Sequence, residues 1–168
     1  MRHMYFIMNT RRRLFHRWNE GGNTVICALI GACGSNHTDE WQLEEQLRTL
    51  IEQENVSAFV FGYFGSFENL LLRVAQRLQE DYPLLDYTVM LTGRKHEHPT
   101  MPGIDNLHAF YPQGIWLLPK RLGLSGKYRY LASAADAAAV FGDGTDSVST
   151  QRLCQATRKK KLYHLALV

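Results

Sequence analysis

Three short glycine-bounded stretches have the composition to receive an anion: Gly31-Ala32-Cys33-Gly34-Ser35, Gly62-Tyr63-Phe64-Gly65 and Gly142-Asp143-Gly144-Thr145. Each follows a short apolar run, and the second precedes Phe67, Leu70, Leu71, Val74 and Leu78, which are apolar at helical spacing. A strand, a glycine turn and a helix in that order aim backbone N–H groups and the positive end of a helix dipole at one spot. That spot suits a phosphate or a carboxylate. The same glycines also serve a tight turn that binds nothing and only relieves backbone strain. Tyr63 and Phe64 can stack on a base or lid the core, while Glu68 can orient a ribose hydroxyl or complement its own helix dipole.

Other reactive residue types are sparse. Cys33 stands in a glycine turn as a candidate thiol, Cys27 falls inside an apolar run, and Cys154 completes a set of three without disulfide spacing, so reduced thiols are expected. His96-Glu97-His98 has no partners at metal-ligand spacing and reads as a solvated loop, so no metal or cofactor is expected. Arg94 and Lys95 follow the third predicted strand, either facing a ligand or solvated. The glycine spacings match neither the dinucleotide fingerprint G-x-G-x-x-G nor the P-loop G-x-x-x-x-G-K-S/T, which disfavours ordinary NAD dehydrogenases and P-loop NTPases.

The elements that must hold these residues follow a regular rhythm. Residues 25–30 read as a buried strand, and Thr38 or Asp39 caps a helix carrying Trp41, Leu43, Leu47, Leu50 and Ile51. Residues 58–61 form the second strand, about 67–80 its helix, and 87–91 the third strand. Segment 92–113 breaks the rhythm with His, Pro and Gly and reads as a long loop. A helix over 127–135, a strand over 137–141, a helix over 145–158 and a strand over 162–167 complete the chain. Strands alternating with helices predict an α/β fold, a single three-layer α/β/α domain of Rossmann-like form with five or more mainly parallel strands. Its expected core includes Val25, Ile26, Phe59, Val60, Val89, Val140 and Leu165. Turns at the carboxyl ends of such strands share one rim, where open parallel sheets bind ligands.

A chain of 168 residues, 45% hydrophobic, is one domain's worth. No apolar run approaches the roughly 20 residues that cross a bilayer, and no signal peptide is visible, so the cytoplasm is the expected address. The net charge is +3, yet Arg2, Arg11, Arg12, Arg13 and Arg17 against Glu20 give residues 1–20 a local +4, leaving −1 for the rest. A global nucleic-acid surface is therefore not expected, although the tail or the run Arg158-Lys159-Lys160-Lys161 can meet an anion locally. Residues 1–22 are read as an N-terminal extension and 23–168 as the domain.

Several motifs occur in a fixed order: Gly62-Tyr63-Phe64-Gly65-Ser66-Phe67-Glu68, Tyr82-Pro83, Tyr111-Pro112-Gln113-Gly114, Pro119-Lys120-Arg121, Lys127-Tyr128-Arg129-Tyr130-Leu131, Ala135-Asp136 and Gly142-Asp143-Gly144-Thr145. In them, over about Val25 to Leu167, the chain resembles an uncharacterised branch of the SLOG superfamily, Rossmann-like domains related to the lonely-guy phosphoribohydrolases and the DprA domain. The resemblance implies a rim that binds a nucleotide or nucleotide-derived small molecule, for sensing or sequestration, and a homodimer, to which the apolar Leu70-Leu71-Leu72 cluster adds a motive. It also gives Arg129 a phosphate to hold bidentately, against a surface ion pair as its plainer role. An N-glycosidic hydrolase acting on nucleoside monophosphates is the first alternative, and DprA-like nucleic-acid binding through the arginine tail the second. Aligning Gly144-Thr145 with the lonely-guy motif P-G-G-x-G-T-x-x-E sets Val148 at the glutamate, and valine can neither accept a proton nor stabilise an oxocarbenium-like sugar. No catalytic residue is assigned.

Overall fold

The computed structural model of the protein describes residues 25–31, 39–62, 66–91, 109–110, 131, 135–142 and 161–166. Short apolar runs form β1 (Val25–Gly31), β2 (Val56–Gly62), β3 (Asp86–Met90), β4 (Ala109–Phe110), β5 (Ala137–Gly142) and β6 (Lys161–Ala166). Between β1 and β2 runs α1 (Glu40–Glu54), and between β2 and β3 runs α2 (Ser66–Asp81). Asp39 caps α1 from an extended conformation, its carboxylate accepting from the Trp41 N–H at 3.2 Å. Asn55 ends that helix in the left-handed region at φ 55, a conformation asparagine tolerates. After Asp81 the Tyr82-Pro83 pair stops α2, because proline has no N–H to continue the ladder.

The strands lie in the order β4-β3-β2-β1-β5-β6, and every pairing is parallel. Cys27, Leu29, Phe59, Phe61, Tyr87, Val89 and Phe141 pack beneath Leu43, Leu47 and Leu50 of α1 and Phe67, Leu71, Val74 and Leu78 of α2. The other face is buried as well, at Ala28, Ile30, Ala58, Val60, Met90, Ala138 and Val140, with the helical residue Leu131 buried too. Burial on both faces is the mark of a parallel sheet enclosed between two layers, so the domain is a three-layer Rossmann-like α/β fold.

A bulge sets the phase of β2. Val25 pairs with Val56 but Ile26 pairs with Ala58, so Ser57 is the extra residue and its hydroxyl donates to the Val25 carbonyl at 3.3 Å. The insertion turns Val56 onto the helix face with Phe59 and Phe61. Val25, expected in the core, is half-buried, since it begins the strand at the bulged end. At that same end Asp136 ties β5 to β1: its N–H donates to the Ile26 carbonyl at 2.8 Å and its carboxylate accepts from the Ile26 N–H at 3.1 Å.

Three expectations change. The long loop over 92–113 contains β4, which pairs with Val89 and Met90 of β3; two residues are too few to show a period in sequence. The helix expected through Ala135 includes Leu131, but Ala135 lies outside it. Leu71 and Leu72 are buried within the chain and Leu70 packs partly buried against the core, so their apolar character is accounted for by α2 facing the sheet. The helix expected over 145–158 and the side chain of Leu165 lie outside what the structure describes.

Candidate functional site

Connections run from β1 through β2 and β3 to β4 on one side and from β5 to β6 on the other, so the strand order reverses between β1 and β5. Open parallel sheets bind ligands beyond the carboxyl ends of the strands at such a point. Gly31, Gly62 and Gly142 are the last residues of β1, β2 and β5, which are neighbours in the order β2-β1-β5. At the usual inter-strand spacing the three strand ends span about 10 Å, the scale of a phosphate with its ribose. The register sets Gly31 beside Phe141 and Ile30 beside Val140, so the β1 and β5 ends are level at the point of reversal.

The two helices meet this rim differently. Glu40, the first residue of α1, pairs with Arg73 at 3.1 Å and with Arg77. Arg77 also meets Glu44 at 3.3 Å, Glu44 meets Arg48 at 2.8 Å, and Arg48 meets Asp81. The Arg48 guanidinium lies 5.6 Å from the centre of the Tyr82 ring, and the Tyr82 hydroxyl donates to Glu52. These pairs form one seam along both helices and set their relative height. Glu40, the first residue of α1, meets Arg73 and Arg77 in the middle of α2, seven and eleven residues past its start, so α1 begins set back from the start of α2 along the seam. The α1 N-terminus already carries the capping carboxylate of Asp39 and, beside it, Glu40. Hydrogen bonding from Arg73, helped by Arg77 and opposed by slight burial, holds the Glu40 carboxyl below its ordinary range. The start of α1 is therefore poorly suited to an anion.

Phe67 and Glu68 leave the first turn of α2 in different directions. Arg73 and Arg77 mark the side of α2 facing α1, and Glu68 shares the opposite side with Leu72 and Gln79, whose amide donates to the Leu85 carbonyl at 3.0 Å. Glu68 is only 7% exposed. By helical phase it leaves α2 on the side away from α1. Phe67 goes the other way, its ring centre 5.6 Å from that of Phe141 on β5. Sequence periodicity marked Phe67 as core but gave no sign of this contact across two strands.

Cys27, at mid-strand, is a free and fully buried thiol, pushed by loss of solvation to about 12 despite a hydrogen bond from the Ala139 backbone. Asp136, one of the residues behind the family resemblance, holds the opposite edge of the sheet instead of the rim. Cys33, Gly34, Ser35, Tyr63, Phe64, Gly65, Arg129, Asp143, Gly144, Thr145 and Val148 lie outside the described residues, as do His96 and His98. Among the described residues no group of three His, Cys, Asp or Glu side chains is arranged to hold a metal, and no helix is long and apolar enough to cross a membrane. No known family model and no curated protein matches the chain.

Proposed function

We propose that the protein binds a nucleotide or nucleotide-derived small molecule at the carboxyl edge of its sheet and senses or sequesters it, acting in the cytoplasm. The observation that carries this reading is that β2, β1 and β5, side by side around the reversal of strand order, all end in glycine. Residues without a Cβ let a ligand approach the backbone, and the start of α2 adds N–H donors and a favourable dipole beside them. The resemblance to SLOG domains supplies the ligand class, with Arg129 as the phosphate partner and a homodimer as the expected assembly. Leu71 and Leu72, being buried in the chain, supply no surface for that dimer. Val148 in place of the lonely-guy glutamate supports binding without turnover.

Calorimetry with nucleoside mono-, di- and cyclic phosphates, paired with a chromatographic assay for free base, tests the reading. Saturable binding without base release is the expected result. No binding by any member of the panel would remove the reading, and rapid release of a base would replace it with the hydrolase. Arg129→Ala is expected to weaken binding by roughly 1.5–3 kcal/mol, the scale of a hydrogen bond to a charged group.

A further inference from the structure

Gly31 and Phe141 are register partners on adjacent strands, and both face the helix layer, in phase with Leu29 and Ala139. Phe67 reaches Phe141 from the first turn of α2, which follows β2 on the far side of β1. A line from α2 to β5 must therefore pass over β1 at the level of its last residue. A side chain at position 31 would stand in that line. The two rings, 3% and 0% exposed, meet at 50° in the tilted arrangement that aromatic pairs favour.

We propose that Phe67 and Phe141 are positioning residues: their ring contact, laid over the Cβ-free slot at Gly31, fixes the ends of β1, β2 and β5 relative to one another. Gly31 is then small because two rings cross it, and the pair forms the floor of the rim on the helix side. The contact links the first turn of α2 to the end of β5, so loosening one ring loosens both strand ends. The link itself is independent of any ligand; its effect on affinity rests on the nucleotide-binding reading.

Hydrogen exchange on the full chain, read by mass spectrometry in peptides spanning Gly31, Gly142 and the centre of β2, separates the two. The variants are Phe67→Leu, Phe141→Leu, the double variant, and Leu78→Val as a buried change at the other end of α2. Each ring variant is expected to speed exchange at Gly31 and Gly142 about tenfold while the centre of β2 holds, the double variant to add little, and Leu78→Val to leave both strand ends unchanged. Unchanged exchange at Gly142 in Phe67→Leu would overturn the proposal, as would a uniform rise across all peptides or full additivity in the double variant. Adenosine monophosphate is the affinity probe, and its binding should fall about tenfold in Phe67→Leu. The expected exchange pattern in a protein that binds neither adenosine monophosphate nor any other member of the nucleotide panel would sink the nucleotide reading and leave the tie standing. Retained affinity in a variant with loosened strand ends would overturn the positioning role.

Discussion

Burial decides what Cys27 can do. Its thiol sits at 0% exposure, and loss of solvation raises its pKa from the ordinary 9.0 to about 12, so the nucleophilic thiolate is scarce at any ordinary pH. Mass spectrometry of alkylated peptides should find Cys27 unlabelled in the native protein at pH 8 and labelled once urea unfolds it. The same shift makes a stability statement. A group whose folded pKa is raised stabilises fully below the unfolded value and loses that contribution as pH rises through the folded one, so Cys27→Ala should lessen the fall in stability above pH 9. Gly31 is constrained differently. Gly31→Val places methyl groups where Phe67 meets Phe141 and is expected to cost about 1–3 kcal/mol in urea unfolding, the range for overpacking a filled site. Residue type was readable for both positions, cysteine in an apolar run and glycine at a strand end. Their roles were not, because the glycine's reason lies in an aromatic pair whose members are 74 residues apart. The direction taken by Glu68 was hidden in the same way: helical phase puts it opposite Arg73, but only the pairing of Arg73 with Glu40 shows that this is the side away from α1.

At the level of the elements, the seam between α1 and α2 fixes how far each helix reaches toward the rim. Every basic member is arginine, which keeps its charge, so acid weakens the seam only through its carboxylates. Glu40 has a lowered pKa, which means its contribution is present above the ordinary value of 4.5 and disappears as pH falls through the folded value. Because both partners are well exposed, Glu40→Gln should cost less than about 1 kcal/mol at pH 7. The difference from wild type should shrink in molar salt and fade as pH is lowered below 4.5, measured by urea titration; a cost that persisted under both conditions would place Glu40 in a packing role instead. The helices themselves were legible, since Leu43, Leu47 and Leu50, like Phe67, Leu71, Val74 and Leu78, repeat at helical spacing. The set-back of α1 was not, because it depends on the pairing of Glu40 with Arg73 and not on any pattern within one helix. Ser57 was equally silent: an extra residue in a strand reveals itself only against the partner strand.

For the molecule as a whole, local rhythm predicted parallel strands between helices, and the all-parallel sheet agrees. The rhythm carried no strand order, which follows from which edges pair, yet that order is what brings three glycine-ended strands together. It also bears on the uneven charge of the chain. Residues 1–20 hold a net +4 while the remainder, which includes the six described strands, sums to −1, so removing residues 1–22 separates an attraction to polyanions from the proposed binding at the strand ends. A chain beginning at residue 23 should keep its urea midpoint and its affinity for a nucleotide within about twofold, because β1 begins at Val25 and the glycine-ended strands all lie after it. The same truncation should release the protein from a heparin column at lower salt, in proportion to the cations removed. Loss of nucleotide affinity by tenfold or more on truncation would mean that the arginine segment supplies part of the site, and the ligand would then have to be sought among longer phosphorylated species that reach it from the rim.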